Sequence, residues 1–370
     1  MFDLYDTAFQ RKNGFRNVSP ASNATLYYNG YEDVASAYVM GEWDATDELK
    51  IVGGVRNEYT SLKLNSSKLV TQVVNGVPQN SVTPTTASSN YNALLPMLHL
   101  KYAVNSQANI RAAYTRTLVR PNFTDLIPNE SVNLTSNPFT ITRGNPELQP
   151  TFANNFDLMG EYFFKNIGLI SGGVFYKDIS NVIFSNKYQE TINNETYVIT
   201  TPGNLQSANL VGFEAGINKR LNFLKGFWSG FGAEFNYSYI HSGVEVPRTV
   251  AGKIEMDKTS LPNQSKHLFN AILFYERNGV MVRLAGNYRG KSVESINQQM
   301  GPDFYTWTAS NFTLDASAAV NIGRNIKLFV ELNNLTNSPL KTYMGDERRV
   351  LMNEWYSQRG QAGIRWDIIK

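Results

Sequence analysis

The stretch LDASAAVNIGRNIKLFVELNN, residues 314–334, alternates apolar and polar side chains on both sides of a short turn. Leu314, Ala316 and Ala318 recur at every second position before the turn, and Leu328 and Val330 do so after it. Successive side chains of a β-strand point to opposite faces, so a period of two predicts strands with one apolar and one polar face. The turn at residues 321–325 joins these two strands into a hairpin.

The same alternation recurs along most of the chain. It predicts about 13 strands of about 9–13 residues, a length that lets an inclined strand cross a bilayer. Tight turns alternate with long polar connections at residues 61–90, 119–149 and 178–207. The sequence therefore predicts an all-β fold, a transmembrane antiparallel β-barrel with long extracellular loops and short periplasmic turns, since such barrels turn an apolar face to lipid and a polar face to the lumen.

Composition excludes several other classes of protein. No apolar run in the 370 residues approaches the length of about 20 that a membrane helix needs. Aromatic residues make up 12% of the chain, which fits girdles at the two membrane interfaces. Cysteine is absent, which excludes disulfides and thiolate metal sites. The net charge of +3 is spread without runs and predicts no nucleic-acid partner.

The direction of the predicted strands constrains how the barrel closes. The first strand leads into a short turn, and the last strand also runs toward the short-turn side. Because successive strands alternate in direction, the total number of strands is odd. Bacterial single-chain barrels have an even number of strands. We therefore expect these strands to be the C-terminal portion of a larger barrel.

Two motifs in the second long connection carry a family resemblance. The segments RPNF at 120–123 and GNPELQP at 144–150 resemble the signature of TonB-dependent outer-membrane receptors. Further segments similar to strand motifs of that family are GVRNE at 54–58, GFE at 212–214, NNLTN at 333–337 and GIRW at 363–366. Together the segments extend the resemblance over residues 32–367.

The resemblance implies a barrel of about 22 strands with a plug domain in its lumen. On that basis residues 1–31 are an extracellular loop segment, residues 32–370 are the C-terminal portion of the barrel with about 13 of the expected 22 strands, and the plug domain is absent from this sequence. The implied location is the outer membrane of a Gram-negative bacterium. Implied partners are outer-membrane lipid, a solute ligand and the TonB complex, reached through the missing N-terminal part; a surface lipoprotein is a further candidate.

The function that the resemblance implies is active import of a large, scarce solute, such as an oligosaccharide, a siderophore complex or a peptide. A passive pore or structural barrel without a plug is the alternative, and a soluble β-rich binding module is a third. No nucleophile-elbow, P-loop or dinucleotide motif is present, so no enzyme is predicted. The three histidines, His99, His241 and His267, lack the spacing of metal ligands, and no cofactor is expected.

Six residues are candidates for ligand binding: Arg120, Asn122, Arg143, Asn145, Tyr305 and Trp307. A guanidinium can hold a carboxylate or phosphate, and an aromatic ring can stack on a sugar. The alternative for the first four is that they fix the conformation of turns, and for the two aromatic residues it is a place in an interface girdle.

A second set of residues is predicted to face the lumen, where it would pair with the plug, form salt bridges or line the transport path. These residues are Glu234, Asn236, Arg283, Asn287, Arg289, Asp315, Lys327, Glu331 and Arg365. A shift of one residue in register would turn all of them toward lipid.

Overall fold

The computed structural model describes residues 24–165, 168–250 and 253–368, and its strands are as follows. They are β1 (Asn29–Asp44), β2 (Leu49–Val74), β3 (Val77–Asn105), β4 (Ala108–Val119), β5 (Glu130–Asn133), β6 (Phe139–Arg143), β7 (Thr151–Phe163), β8 (Gly168–Ile192), β9 (Glu195–Arg220), β10 (Phe231–Val250), β11 (Lys253–Thr259), β12 (His267–Arg277), β13 (Val280–Arg289), β14 (Ser292–Ser295), β15 (Thr306–Thr308), β16 (Asn311–Ile322), β17 (Ile326–Asn333), β18 (Leu340–Met344), β19 (Val350–Glu354) and β20 (Arg359–Trp366).

Thirteen of these strands form one continuous antiparallel sheet in chain order. The order is β1, β2, β3, β4, β7, β8, β9, β10, β12, β13, β16, β17, β20. Each pairs with its neighbours in the chain, and within the described residues no pairing joins β1 to β20. The sheet confirms the predicted all-β fold and the predicted strand number. The other seven strands of the described chain lie in the connections at one end.

The register carries one apolar face across neighbouring strands. Leu284 lies opposite Leu273 on β12 and opposite Ala316 on β16, and Ala318 lies opposite Val330 on β17. Leu273 is 62% exposed. A contiguous exposed apolar band on a sheet is the surface that lipid covers in a transmembrane barrel. We call this the lipid-facing band.

Aromatic residues border the band at both ends. Phe231 and Tyr275 lie at the short-turn end, with ring centroids 5.0 Å apart. Phe213 and Tyr239 lie toward the opposite end, with centroids 5.7 Å apart. From Phe231 to Tyr239 a strand rises about 26 Å along its own axis at about 3.3 Å per residue. At a tilt of about 40° this covers about 20 Å along the membrane normal, most of the apolar band of about 25 Å in outer-membrane barrels.

The short turns have the chemistry that tight hairpins require. Between β12 and β13, Asn278 and Gly279 have φ of 52° and 77°, the left-handed pair of a type I′ turn. Gly323, with φ of 67°, takes the left-handed conformation in the turn between β16 and β17. The predicted turn at Lys165-Asn166 lies partly outside the described residues.

Two of the three predicted polar loops are strands, which corrects the sequence interpretation. Residues 61–90 continue β2 and β3 as one long hairpin that ends at Asn75-Gly76, both with positive φ. Residues 178–207 continue β8 and β9, with Asn193-Asn194 at the turn. These extensions lie beyond the lipid-facing band and are rich in Ser, Thr and Asn, so their composition resembles that of a loop.

The second connection is a loop with its own short elements, and it closes a ring. It contains the helical turn α1 (Phe123–Leu126) and the hairpin β5–β6. Strand β5 pairs in parallel with β2 at Lys68–Thr71, and β6 pairs in parallel with β9 at Tyr197–Thr200. The strands β9, β6, β5, β2, β3, β4, β7 and β8 thus form a closed circuit, which β5 and β6 complete at the long-connection end. We call this circuit the outer ring.

The buried core lies at the same end. One cluster contains Leu62, Leu64, Leu126, Ile127 and Leu148; a second contains Val132, Ile141 and Ile199; a third contains Leu205, Ala208, Val244 and Val246. Beyond the lipid-facing band, apolar side chains therefore turn inward and pack against each other.

The later connections form a separate four-stranded sheet of β14, β15, β18 and β19. The described residues include the helical turn α1 and two 3-10 turns, Gly226–Gly230 and Pro302–Phe304. No helix in the part of the chain that the structure describes has the length and hydrophobicity needed to cross a bilayer.

Candidate functional site

Two cavities lie at the outer ring, and they adjoin each other. The larger has a volume of about 1370 Å³ and the smaller about 610 Å³. Arg143, Gly144, Thr201 and Pro202 line both of them. The segment that begins at Arg143 is therefore the wall between two open spaces at the mouth of the sheet.

The GNPELQP segment is held in place by close backbone packing. The amide of Gly144 donates to Oδ1 of Asn129 at 2.8 Å. A Cβ at Gly144 would lie 2.1 Å from the carbonyl oxygen of Ile127, so no other residue fits without moving the backbone. Within the segment, the side chains of Leu148 and Pro150 are buried. The motif thus joins the wall of the cavities to α1.

The two predicted asparagines stabilise turns. Asn145 donates from Nδ2 to the carbonyl of Pro202 at 3.1 Å and accepts at Oδ1 from the amide of Glu147 at 3.0 Å. Asn122 donates from Nδ2 to Asp125 at 3.3 Å. Both side chains border a cavity, but the amide nitrogen of each donates to a group within the protein.

Arg120 is a tether between the second connection and the sheet. Its guanidinium donates to the carboxylate of Glu58 on β2, and the same carboxylate accepts from Nε of Arg56 at 2.6 Å. Glu32 on β1 lies 4.0 Å from Nε of Arg120. The side chain therefore spans three elements of the structure, and its ion pairs direct it toward the sheet wall.

Arg143 is the predicted residue whose charged group is most available to a ligand. Its nearest carboxylate, Glu130, is 3.7 Å away and is also bound by Lys68. Its side chain is 40% exposed and lines both cavities. The local balance of two cations against one carboxylate leaves positive charge at the cavity wall.

Tyr305 and Trp307 lie in or beside the small four-stranded sheet and line neither large cavity. Tyr305 is 1% exposed, and its hydroxyl donates to Asp257 at 3.3 Å. Burial, with the charge of Asp257 beside it, raises the pKa of Tyr305 to about 12. Trp307 stacks on Tyr343 with ring centroids 6.5 Å apart. Because the ring of Tyr305 has no open face, it offers no surface on which a solute could stack.

Residues without a recognisable motif complete the larger cavity. Lys187, Tyr188 and Gln189 come from the extension of β8, and Gln298 comes from the connection after β14. Gln298 accepts from the amide of Lys187 at 2.8 Å and donates to the carbonyl of Pro247 at 3.2 Å, so it joins three connections. The Asn193-Asn194 turn was the signal that could have placed the β8 residues on a strand at this cavity.

The nine residues predicted to face the lumen share one face of the sheet by register, opposite the lipid-facing band. Amide side chains of Asn236, Asn270 and Asn287 form a hydrogen-bonded row across β10, β12 and β13. Glu331 accepts from Gln361 at 2.5 Å. This face is polar and cross-linked. Across the described ranges, no three His, Asp or Glu side chains come together as a metal site requires.

Comparisons with known proteins agree with this geometry. The sequence matches the family described as "TonB dependent receptor-like, beta-barrel" over residues 2–335. No curated protein sequence gives a significant match.

Solved structures with a similar fold include three transport proteins. The siderophore receptor PiuA from Acinetobacter baumannii superposes with a TM-score of 0.66 at 16% identity, over 92% of this chain and 44% of that one. The ferric-catecholate import receptor Fiu from E. coli K12 gives 0.63 at 16% identity, over 91% and 45%. The copper transporter OprC gives 0.60 at 14%, over 90% and 48%.

This chain spans somewhat less than half the length of these three structures. Identities this low show the fold alone. The family comprises transport receptors of the Gram-negative outer membrane rather than enzymes. Because the family match covers most of the sequence, the chain belongs to the TonB-dependent receptor β-barrel family.

Proposed function

We propose that the protein takes part in active import of a large, scarce solute across the outer membrane, with energy from the TonB complex. The observation that supports this most is the pair of adjoining cavities at the outer ring, built on the same strands whose polar face lines the lumen in this proposal. A solute held there would stand at the entrance of the path. The passive pore, by contrast, has no need of a walled binding site.

The lining of the larger cavity favours a polar solute with negative charge. Arg143 and Lys187 bring two cations, and Glu147 brings one carboxylate. Gln189 and Gln299 add amide groups that can donate or accept hydrogen bonds. Among the three solute classes expected from the sequence, this balance favours an anionic siderophore complex over a neutral oligosaccharide or a peptide.

Uptake by cells that express the whole gene product tests the proposal. Radiolabelled ferric siderophores, oligosaccharides and peptides are supplied with and without a protonophore, and in cells with and without TonB. Active import predicts uptake of one class that stops when either the proton gradient or TonB is removed. Uptake that continues in both conditions would contradict active import and establish the passive pore.

Variants of the cavity sharpen the same test. Arg143→Gln and Lys187→Gln should each weaken solute binding about tenfold, since a hydrogen bond to a charged group contributes about 1.5–3 kcal/mol before solvent exposure reduces it. Lys258→Gln is the matched control, because its exposed side chain pairs with Glu245 away from the cavity lining. Equal affinity in all three variants would remove the larger cavity as the binding site.

A further inference from the structure

The connection between β9 and β10 differs from the other turns at the periplasmic end. Ten residues, 221–230, separate Arg220 from Phe231. The other five turns at this end have two to four residues. The connection contains the 3-10 turn Gly226–Gly230, which starts at a glycine with φ of 63°. We call residues 221–230 the foot.

The foot presents an exposed apolar surface. Phe223, Leu224, Phe227 and Trp228 all point into solvent, and Trp228 is 61% exposed. A contiguous apolar patch of this kind on a protein surface marks a contact with a partner or a membrane.

The patch continues the lipid-facing band. The ring of Phe227 lies 4.9 Å from that of Tyr275, and Trp228 stacks on Phe231 at 5.6 Å. Phe231 and Tyr275 face each other across β10 and β12 at the lower border of the band. The foot therefore extends an apolar surface that lipid already covers, and it does so at the level where the headgroups of the periplasmic leaflet lie.

The charge of the foot favours a lipid partner over a protein partner. Lys225 lies in the middle of the foot, and residues 221–230 contain no acidic side chain. On the strand that enters the foot, Lys219 places its ammonium 4.5 Å from the ring of Phe164. Aromatic rings with adjacent lysines are the residues that settle at a membrane interface, and lysines attract anionic headgroups.

We propose that the foot is a membrane-surface anchor that inserts Phe227 and Trp228 into the headgroup layer of the periplasmic leaflet and binds anionic phospholipid through Lys225. The proposal goes beyond solute import and depends only on the orientation of the barrel. Such an anchor would fix the height of the barrel in the membrane at one point of its rim.

The depth of Trp228 is the first test. The whole gene product is reconstituted in phospholipid vesicles, and the emission of Trp228 is obtained as the difference between the wild type and Trp228→Phe. We expect phospholipids brominated near the headgroup to quench this component and acrylamide to leave it largely unquenched. Strong quenching by acrylamide with no effect of brominated lipid would overturn the proposal, and it is the outcome expected if the foot instead meets a periplasmic protein.

The charge of Lys225 is the second test. Photoactivatable phosphatidylglycerol is cross-linked to the reconstituted protein, and the yield on residues 221–230 is measured by mass spectrometry against photoactivatable phosphatidylcholine. Lys225→Gln should lower the phosphatidylglycerol yield about fivefold, the effect of one lysine near an anionic surface. Lys258→Gln is the control and should not change it. An unchanged yield in Lys225→Gln would overturn the assignment to anionic lipid.

Discussion

The membrane-spanning sheet and the strand extensions beyond it use the same alternating pattern with opposite results. In the sheet, apolar side chains such as Leu273 and Leu284 point outward and are exposed. Beyond it, Val244 and Val246 are buried, although they lie on the same strand as the outward-facing Phe235. Phe235 is at an odd position of β10, whereas the two valines are at even positions. The apolar face thus changes sides where the surroundings change from lipid to water.

This comparison shows that hydrophobic patterning reports the surroundings of a strand as well as its fold. In lipid, an outward apolar side chain is already in an apolar medium. In water, the same side chain is stabilised only by packing against others, and burial contributes about 25 cal/mol per Å² of apolar surface. The two regions should therefore respond in opposite ways to substitutions on the same face.

The largest expected effect is a loss of packing in the outer ring. Leu148→Ala should lower the free energy that protects the ring from opening by about 2–5 kcal/mol, because it leaves a cavity beneath the GNPELQP segment. Amide hydrogen exchange of residues 123–133 measures this opening. Leu351→Ala, at an exposed leucine, is the control and should leave exchange unchanged. Equal exchange in both variants would mean that the ring has no stabilising core.

The next effect concerns the lipid-facing band. Leu284→Arg should lower the free energy of unfolding in vesicles by about 2–4 kcal/mol, because it places a charge in the hydrocarbon layer. Ala285→Arg is the matched control: its side chain points to the opposite face, where a charge meets water or polar groups. Unfolding in urea, followed by tryptophan fluorescence, measures both. A larger loss in Ala285→Arg would reverse the assignment of the two faces.

A smaller effect is expected at Arg120, and it shows whether this side chain contacts the ligand or only joins the second connection to the sheet. Arg120→Ala should lower the free energy of unfolding by about 1 kcal/mol, since its ion pair with Glu58 is partly exposed to solvent. It should leave the affinity for the imported solute within about twofold, whereas Arg143→Gln should weaken it. If Arg120→Ala weakens solute binding as much as Arg143→Gln without loss of stability, Arg120 is a ligand contact.

The last effect appears only at high pH, in the connections outside the membrane. The pKa of Tyr305, raised to about 12 by burial and by Asp257, lies above the value of about 10 for an unfolded tyrosine. The folded protein therefore holds this proton more tightly. The resulting stability is present below pH 10 and is lost as the pH rises toward 12.

The absorbance difference at 295 nm between the wild type and Tyr305→Phe measures this titration. We expect the difference to develop only near pH 12, with unfolding assayed in parallel at each pH. A midpoint near pH 10 in the folded protein would show that the hydroxyl is open to solvent.

The sequence predicted the spanning strands well because lipid imposes a strict rule on them. In β16 and β17, every second residue must be apolar and the turn must be short, so residues 314–334 specify their own hairpin. The faces of the sheet follow from the same rule. The pattern could not place residues 61–90 or 178–207, where strands in water keep apolar residues only at a few inward positions such as Leu62 and Leu64.

The candidate site was harder to predict than the fold. Its two signature motifs were found from the sequence, but the side chains of Arg120, Asn122 and Asn145 are engaged in contacts within the protein. Lys187 and Gln298 reach the larger cavity only because separate connections fold against each other. Contacts between separate connections depend on tertiary packing, and no local sequence pattern encodes them.

The direction of the apolar face is the claim on which the account depends, and single-cysteine spin labels test it most directly, since the chain has no cysteine of its own. Labels at Leu284 and Val330 are compared with labels at Ala285 and Glu331 in the reconstituted protein, with oxygen as the lipid-soluble relaxant and a nickel chelate as the water-soluble one. We expect oxygen to relax the first pair more strongly than the second, and the nickel chelate to have almost no effect on the first pair. Labels at Leu284 and Val330 that respond to nickel and not to oxygen would contradict it.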